Sequence, residues 1–372
     1  MTLHFENKLL RRENLGNLRQ LQITQNLIDF SSNDYLGLAR SPQLASKVRY
    51  EWSAHTNGLN GLGSTGSRLL TGNSNYAQDL ENKIAIFHEY EAALLFSCGY
   101  MANVGLLSTI ASCEDIIFFD VSVHASIHDG IILSRAKAFP FKHNDLKHLE
   151  KRLKNCSTQG TKFICVESLY SMDGSVAPLV EICSLAKKHK ALVIVDEAHA
   201  VGVCGPSGKG LVSEQKLNSQ VFAQTITFGK ALGTYGAAIL GSCSLKQALI
   251  NFATSYIYTT ALPFHSLYAI KCSYDLFPDL EQERKHLQKL IQMFCEFYSS
   301  SSKTHIQSVP FKGNQAVKQA AQKLASQGFD VRPIMSPTIQ KGYERLRICL
   351  HSFNTEEELD SLLKIMKDLK NE

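Results

Sequence analysis

The feature that most restricts the fold of this chain is a series of short apolar runs separated by stretches with helical spacing. Ala92–Phe96, Ile116–Phe119, Lys162–Val166, Ala191–Val195, Gln224–Thr227 and Ala237–Leu240 are nearly continuous in hydrophobicity. A strand with one wet face alternates apolar and polar residues. Continuous runs instead suit strands covered on both faces, as a mainly parallel sheet requires. Helix candidates fall between the runs: Tyr76–His88, where Leu80, Ile84 and Phe87 recur at helical spacing, and Leu179–His189. This alternation predicts a large α/β domain over residues 41–275.

Residues 1–30 are polar and partly helical in pattern, and residues 1–40 are read as an N-terminal arm. Beyond residue 275 the texture changes to a charged helical stretch (Asp279–Ser299), a short strand candidate, a helix near Asn314–Gln327 and the apolar run Leu346–Leu350. In the closing helix Thr355 and Glu358 have capping-box spacing, and Leu359, Leu362, Leu363, Met366 and Leu369 form one stripe. Residues 276–372 therefore read as a smaller C-terminal α+β domain, and 372 residues suffice for both.

A net charge of +5 without a Lys/Arg cluster or an aromatic-basic stripe argues against a nucleic-acid partner. The ten cysteines (Cys98, Cys113, Cys156, Cys165, Cys183, Cys204, Cys243, Cys272, Cys295, Cys349) include no C-x-x-C pair, and most lie in apolar stretches. They read as buried, reduced thiols of a cytosolic protein, with no metal site. Met1-Thr-Leu-His-Phe-Glu-Asn-Lys8 has no apolar core of signal-peptide length, and no apolar run approaches the ~20 residues that span a bilayer. The expected location is the cytoplasm, with no membrane partner.

Two glycine-rich segments invite nucleotide readings. Gly61-Leu-Gly63-Ser-Thr-Gly66 has the G-x-G-x-x-G spacing, but such a loop must follow a buried strand, and Trp52-Ser-Ala-His-Thr-Asn-Gly-Leu-Asn60 is none. Gly205-Pro-Ser-Gly-Lys-Gly210 lacks the four-residue gap of a phosphate loop and has Gly210 where a magnesium-binding hydroxyl belongs. Both are rejected.

The informative segment is Ala191-Leu-Val-Ile-Val-Asp196-Glu-Ala-His199. In open α/β sheets ligands bind at the carboxyl ends of strands, which places Asp196 for a site; a helix N-cap or a surface acid accounts for it equally well. The next strand ends in Thr227-Phe-Gly229-Lys230-Ala-Leu-Gly233. Burial or cationic neighbours would lower the proton affinity of the Lys230 amine and make it a nucleophile toward carbonyls; alone, a solvated lysine explains it too. The pair narrows the choice. A strand-end acid followed one strand-helix unit later by a strand-end lysine is what a pyridoxal site requires. The lysine bonds the cofactor aldehyde, and the carboxylate keeps the pyridine nitrogen protonated so that the ring withdraws electrons.

With these residues the chain resembles the α-oxoamine synthases, within the fold type I pyridoxal-phosphate (PLP) enzymes. The matching blocks run in order from Asn33-Asp-Tyr-Leu-Gly37 through Gly63-Ser-Thr-Gly-Ser-Arg68, Phe96-Ser-Cys-Gly-Tyr100 and His124-Ala-Ser126. They continue in Glu167-Ser-Leu-Tyr-Ser-Met-Asp-Gly174, Asp196-Glu-Ala-His199 and Thr227-Phe-Gly-Lys230. The resemblance implies the aspartate aminotransferase-like fold, with PLP carried by Lys230 and paired through its ring nitrogen with Asp196. It implies that His124 stacks on the ring, His199 bonds the ring hydroxyl, and Gly99, Tyr100 and Met101 offer amides to the phosphate. Ser171 and Thr227 would add hydroxyls there, and Thr260 would reach the phosphate of a partner subunit, making a homodimer with shared sites. Arg19, Asn33, His124, Glu167, Arg332 and Thr338 are the implied substrate residues.

One departure stands out. The family holds the substrate carboxylate with an arginine shortly before a Pro-Thr pair, and in Arg332-Pro-Ile-Met335-Ser-Pro337-Thr338 the matching position is Met335. Either Arg332 reaches the carboxylate by another path, or Arg345 or Arg347 replaces it. The implied reaction joins an amino acid to an acyl-CoA or acyl-carrier thioester. Gly63–Gly72 and Lys230–Ala238 look most like the branch that joins L-alanine to a pimeloyl thioester in biotin synthesis. A branch that uses glycine and acetyl-CoA, or a PLP-binding homologue without activity, remains open.

Overall fold

The computed structural model describes residues 3–21, 23, 26–55, 62–298 and 302–371. Gly61, the first glycine of the rejected dinucleotide pattern, and Ser299, the end of one predicted helix, lie outside the described residues. The strands in chain order are β1 (Ile28–Asp29), β2 (Ala92–Phe96), β3 (Ile116–Asp120), β4 (Lys137–Phe141), β5 (Lys162–Glu167) and β6 (Ala191–Asp196). They continue with β7 (Val221–Thr227), β8 (Ala237–Gly241), β9 (Ile306–Pro310), β10 (Phe329–Asp330), β11 (Arg332–Ile334) and β12 (Arg345–Cys349).

Every apolar run becomes a strand of one seven-stranded sheet, ordered β2-β8-β7-β6-β5-β3-β4. β7, β6, β5, β3 and β4 pair parallel, while β8 runs antiparallel to both β2 and β7. All residues of β2 and β8 are buried, as two covered faces require. The sequence shows no continuous run at β4, and the reason is its position: an edge strand containing Pro140 and burying only Phe141 needs no unbroken hydrophobicity. The helix predicted at Tyr76–His88 spans Asn75–Phe87, and its N-cap Ser74 accepts the Ala77 amide.

Contacts group the chain into two units, Leu36–Tyr170 with Val176–Glu281, and Met1–Tyr35 with Ser171–Ser175 and Gln282–Glu372. The first unit holds the seven-stranded sheet. The second holds an antiparallel sheet ordered β11-β12-β9 and the parallel pair β1-β10. Its helices are Glu281–Phe297, Asn314–Ser326 and Glu356–Asn371. The predicted capping box forms: Thr355 N–H donates to Glu358 Oε2 at 3.0 Å, and Glu358 N–H to Thr355 Oγ1 at 3.1 Å. The arm's first helix, His4–Asn14, buries none of its residues.

The excursion of Ser171–Ser175 into the second unit depends on Gly174. Its φ is +72°, and a Cβ there would stand 2.0 Å from the Ile306 carbonyl oxygen. Gly174→Ala is therefore expected to destabilise this unit by about 3 kcal/mol or more, read as a lower urea midpoint. An unchanged midpoint would mean that the turn relaxes freely.

The cysteine expectation needs correction. Cys165, Cys183, Cys272 and Cys349 are buried, but Cys113 and Cys243 are exposed and the other four are partly exposed. Position in an apolar stretch does not ensure burial when the residue lies at an element end, as Cys243 does at the start of Cys243–Phe252. All ten are free thiols. Among the described residues no helix is long and apolar enough to cross a membrane.

Candidate active site

Because β5, β6 and β7 are parallel neighbours, their carboxyl ends share one edge of the sheet. Those ends carry Glu167, Asp196 and Thr227, and Glu167 and Asp196 are register partners. Asp196 and Glu167 are 6% and 3% exposed. Asp196 Oδ1 accepts the Ala198 amide at 2.9 Å, and Oδ2 accepts the Asn103 side-chain amide at 2.7 Å. Each carboxylate oxygen thus has a fixed donor and keeps a lone pair for another.

Lys230 leaves β7 through a tight loop. Thr234 N–H donates to the Phe228 carbonyl and Gly233 N–H to the Lys230 carbonyl, both at 2.8 Å. Lys230 Nζ lies 2.9 Å from Nε2 of His199, which is buried. His199 sits in a turn that closes on Glu197, where the Ala200 N–H donates to the Glu197 carbonyl. The Glu197 carboxylate is fully buried, accepts the Leu211 amide at 2.7 Å and Gln224 Nε2 at 2.7 Å, and so anchors that turn to β7.

His124 precedes the helix Ala125–Ser134 and caps it, its Nδ1 accepting the Ser126 amide at 3.2 Å. Burial lowers the pKa of the His124 ring, the Asp196 charge opposes that shift and the Lys230 charge adds to it. Hydrogen bonds through Ser126 Oγ and the Asn103 side-chain amide link His124 to Asp196.

The helix Gly99–Ile110 begins at Cys98, whose side chain makes no capping bond. A Cβ on Gly99 would stand 2.5 Å from Thr227 Cγ2, so only glycine lets this helix start approach β7 so closely. Thr227 Oγ1 donates to the Ala198 carbonyl at 3.3 Å. An uncapped helix start beside a threonine hydroxyl and a strand-end lysine suits a phosphate-bearing aldehyde, with donors for the phosphate and an amine for the aldehyde. The donor set fits PLP. The Tyr100 side chain turns aside to donate to Asp129, so any phosphate contact at Tyr100 falls to its backbone.

Thr260 pairs with Ser67 across an isolated bridge, next to Ala261, whose carbonyl accepts Ser64 Oγ at 2.6 Å. No hydrogen bond among the described residues ties Thr260 to the lysine cluster.

The second unit holds the remaining expected residues in separate contacts. Arg19 donates to Thr338 Oγ1 at 3.2 Å. Asn33 Oδ1 accepts from Arg347 at 3.0 Å, and Arg347 also donates to the Ser171 carbonyl at 2.6 Å. Arg332 pairs with Asp330 at 3.2 Å and Arg345 with Asp173 at 3.4 Å. The sequence reading did not assign roles to Asn103 or Ser126. A detectable signal existed for Asn103, a lone amide in the apolar helical stretch Met101–Leu107.

Comparisons with known proteins place the chain among similar sequences and structures. The aminotransferase class I and II family profile matches residues 25–366. An 8-amino-7-oxononanoate synthase of Emericella nidulans is 41% identical over 385 residues, covering 96% of this chain and 92% of the relative. The solved 8-amino-7-oxononanoate synthase of Francisella tularensis superposes with a TM-score of 0.78 at 30% identity, covering 93% of this chain and 98% of that one. A serine palmitoyltransferase variant from S. paucimobilis with bound PLP and myriocin superposes with a TM-score of 0.90 at 25% identity, covering 99% and 97%.

Proposed function

The chain belongs to the aminotransferase class I and II family, and from that premise we propose that it condenses L-alanine with a pimeloyl thioester, giving 8-amino-7-oxononanoate, carbon dioxide and the free thiol. PLP is the cofactor, and the enzyme is an acyltransferase of the α-oxoamine synthase type. The observation that carries the reading is the meeting of Lys230 and His199 at 2.9 Å, beside Asp196, in a chain alignable over 96% of its length with a synthase.

When bound, PLP supplies an electron sink for negative charge at the amino acid's Cα. Lys230 Nζ would hold the cofactor aldehyde and, once free, would take the proton from the amino acid's Cα. Asp196 would receive the ring N–H on a carboxylate whose two oxygens are already oriented by Ala198 and Asn103. His199 positions Lys230 Nζ and would bond the ring hydroxyl. His124 would cover one ring face, and the amides of Gly99, Tyr100 and Met101 at the helix start, with the Thr227 hydroxyl, would hold the phosphate. Glu167 borders the amino acid from the neighbouring strand end. Arg19, Asn33, Ser171, Arg332 and Thr338 keep the substrate and phosphate roles assigned by resemblance, with Arg332 held by Asp330. The same reading makes the enzyme a cytoplasmic homodimer in which Thr260 serves the partner's phosphate.

A substrate panel tests this function. Thiol release is expected with L-alanine plus pimeloyl-CoA, with kcat/KM for alanine about 10-fold or more above that for glycine, the discrimination one methyl group in an apolar pocket allows. Preference for glycine plus acetyl-CoA would make the chain an acetyltransferase. Absence of thiol release with every pair would make it a PLP-binding protein only.

A further inference from the structure

Asn103 and Ser126, both buried, link Asp196 to His124. The Asn103 amide nitrogen donates to Asp196 Oδ2 at 2.7 Å and to Ser126 Oγ at 3.0 Å. Ser126 Oγ lies 2.7 Å from His124 Nδ1, and the Ser126 backbone N–H points at the same nitrogen from 3.2 Å.

Proton counting sets the direction of every bond in this chain. An asparagine that faces a carboxylate must present its NH2 group, because the flipped amide would set oxygen against oxygen. The two N–H groups of Asn103 are then engaged, one by Asp196 and one by Ser126. A serine hydroxyl has a single proton. With its oxygen accepting from Asn103, that proton goes to His124 Nδ1. The backbone N–H of Ser126 needs the same lone pair for the helix cap. An imidazole nitrogen that accepts two donors carries no proton, so the neutral ring bears its proton on Nε2.

We propose that Asn103 and Ser126 are positioning residues that hold Asp196 as an acceptor and lock His124 in the Nε2–H tautomer, so that His124 offers the reactants a hydrogen-bond donor and leaves proton abstraction at Cα to Lys230. The tautomer follows from this chain's own bonds, while its catalytic consequence rests on the function proposed above. An Nε2–H at the ring face can steady an oxygen of the amino acid or the thioester. It cannot accept the Cα proton.

The test uses holoenzyme labelled with 15N-histidine, with the His124 resonances identified by difference from His124→Asn. A pyridine-type Nδ1 and a pyrrole-type Nε2 are expected. In Ser126→Ala, which removes only one oxygen, the two nitrogens should shift toward a mixed tautomer while the other histidine resonances stay in place. Asn103→Asp preserves shape but sets a second carboxylate against Asp196, and PLP should dissociate about 10-fold more readily. Its conservative partner Asn103→Gln should recover part of that retention. A protonated Nδ1 in the wild-type enzyme overturns the proposal, and so does an unchanged His124 spectrum in Ser126→Ala. Wild-type protein that retains no PLP would instead sink the cofactor reading, and the His124 tautomer in that same sample would still decide the relay.

Discussion

Lys230→Ala is expected to lower kcat by about 10⁴-fold or more and to abolish the visible absorbance of lysine-bound PLP, while the fold persists. On the proposed function two roles of one amine are lost together: the covalent hold on the cofactor and the base that moves the Cα proton. Alanine adds no bulk to a turn whose own bonds, Gly233 N–H to the residue-230 carbonyl and Thr234 N–H to the Phe228 carbonyl, are backbone to backbone. The urea midpoint should therefore move little. His199 loses its 2.9 Å partner but stays anchored through the turn on Glu197. Absorbance and turnover measured on the same preparation check the prediction, and retention of both at wild-type levels would exclude Lys230 from the chemistry.

Asp196→Asn should cost about 10³-fold in kcat, about 4 kcal/mol of transition-state stabilisation. The isosteric amide keeps the shape but removes the negative charge that favours a protonated ring nitrogen, and with it much of the ring's power to accept electrons. The change also disturbs its neighbours. One Asp196 oxygen accepts the Ala198 amide and the other the Asn103 amide, and an asparagine has a single acceptor oxygen to serve both donors. PLP affinity should therefore fall with kcat, which steady-state kinetics at several PLP concentrations would separate. A normal kcat restored by saturating PLP would mean that Asp196 anchors the cofactor without tuning it.

How much of this could be read from the residues depended on where each interaction lies along the chain. The strands β2, β3, β5, β6, β7 and β8 were legible because burial on both faces writes a continuous apolar run. The edge strand β4 was not, since only Phe141 of Lys137–Phe141 is buried and an edge carries no such demand. Asp196 and Lys230 were visible for a related reason: a charged group at the end of an apolar strand stands out against its surroundings. Asn103 and Ser126 were hidden because their importance comes from contacts between elements: Asn103 on the helix Gly99–Ile110 meets Ser126 of the helix Ala125–Ser134, 23 positions away, and Asp196 at the end of β6, 93 positions away. The contact of Asn33 with Arg347 spans 314 positions, and nothing local to either residue announces it. Sequence reasoning offered Arg332, Arg345 and Arg347 as alternatives at the Met335 departure. The structure engages each of them, with Asp330, with Asp173, and with Asn33 and the Ser171 carbonyl respectively.

Borohydride reduction of the holoenzyme, followed by tryptic digestion and mass spectrometry, tests the central claim most directly. Trypsin does not cleave after a lysine that carries a pyridoxyl group, so the account predicts a single labelled peptide, residues 217–246, with Lys230 uncut. Label on any other lysine, or full cleavage after Lys230 in protein that retained PLP, would contradict it.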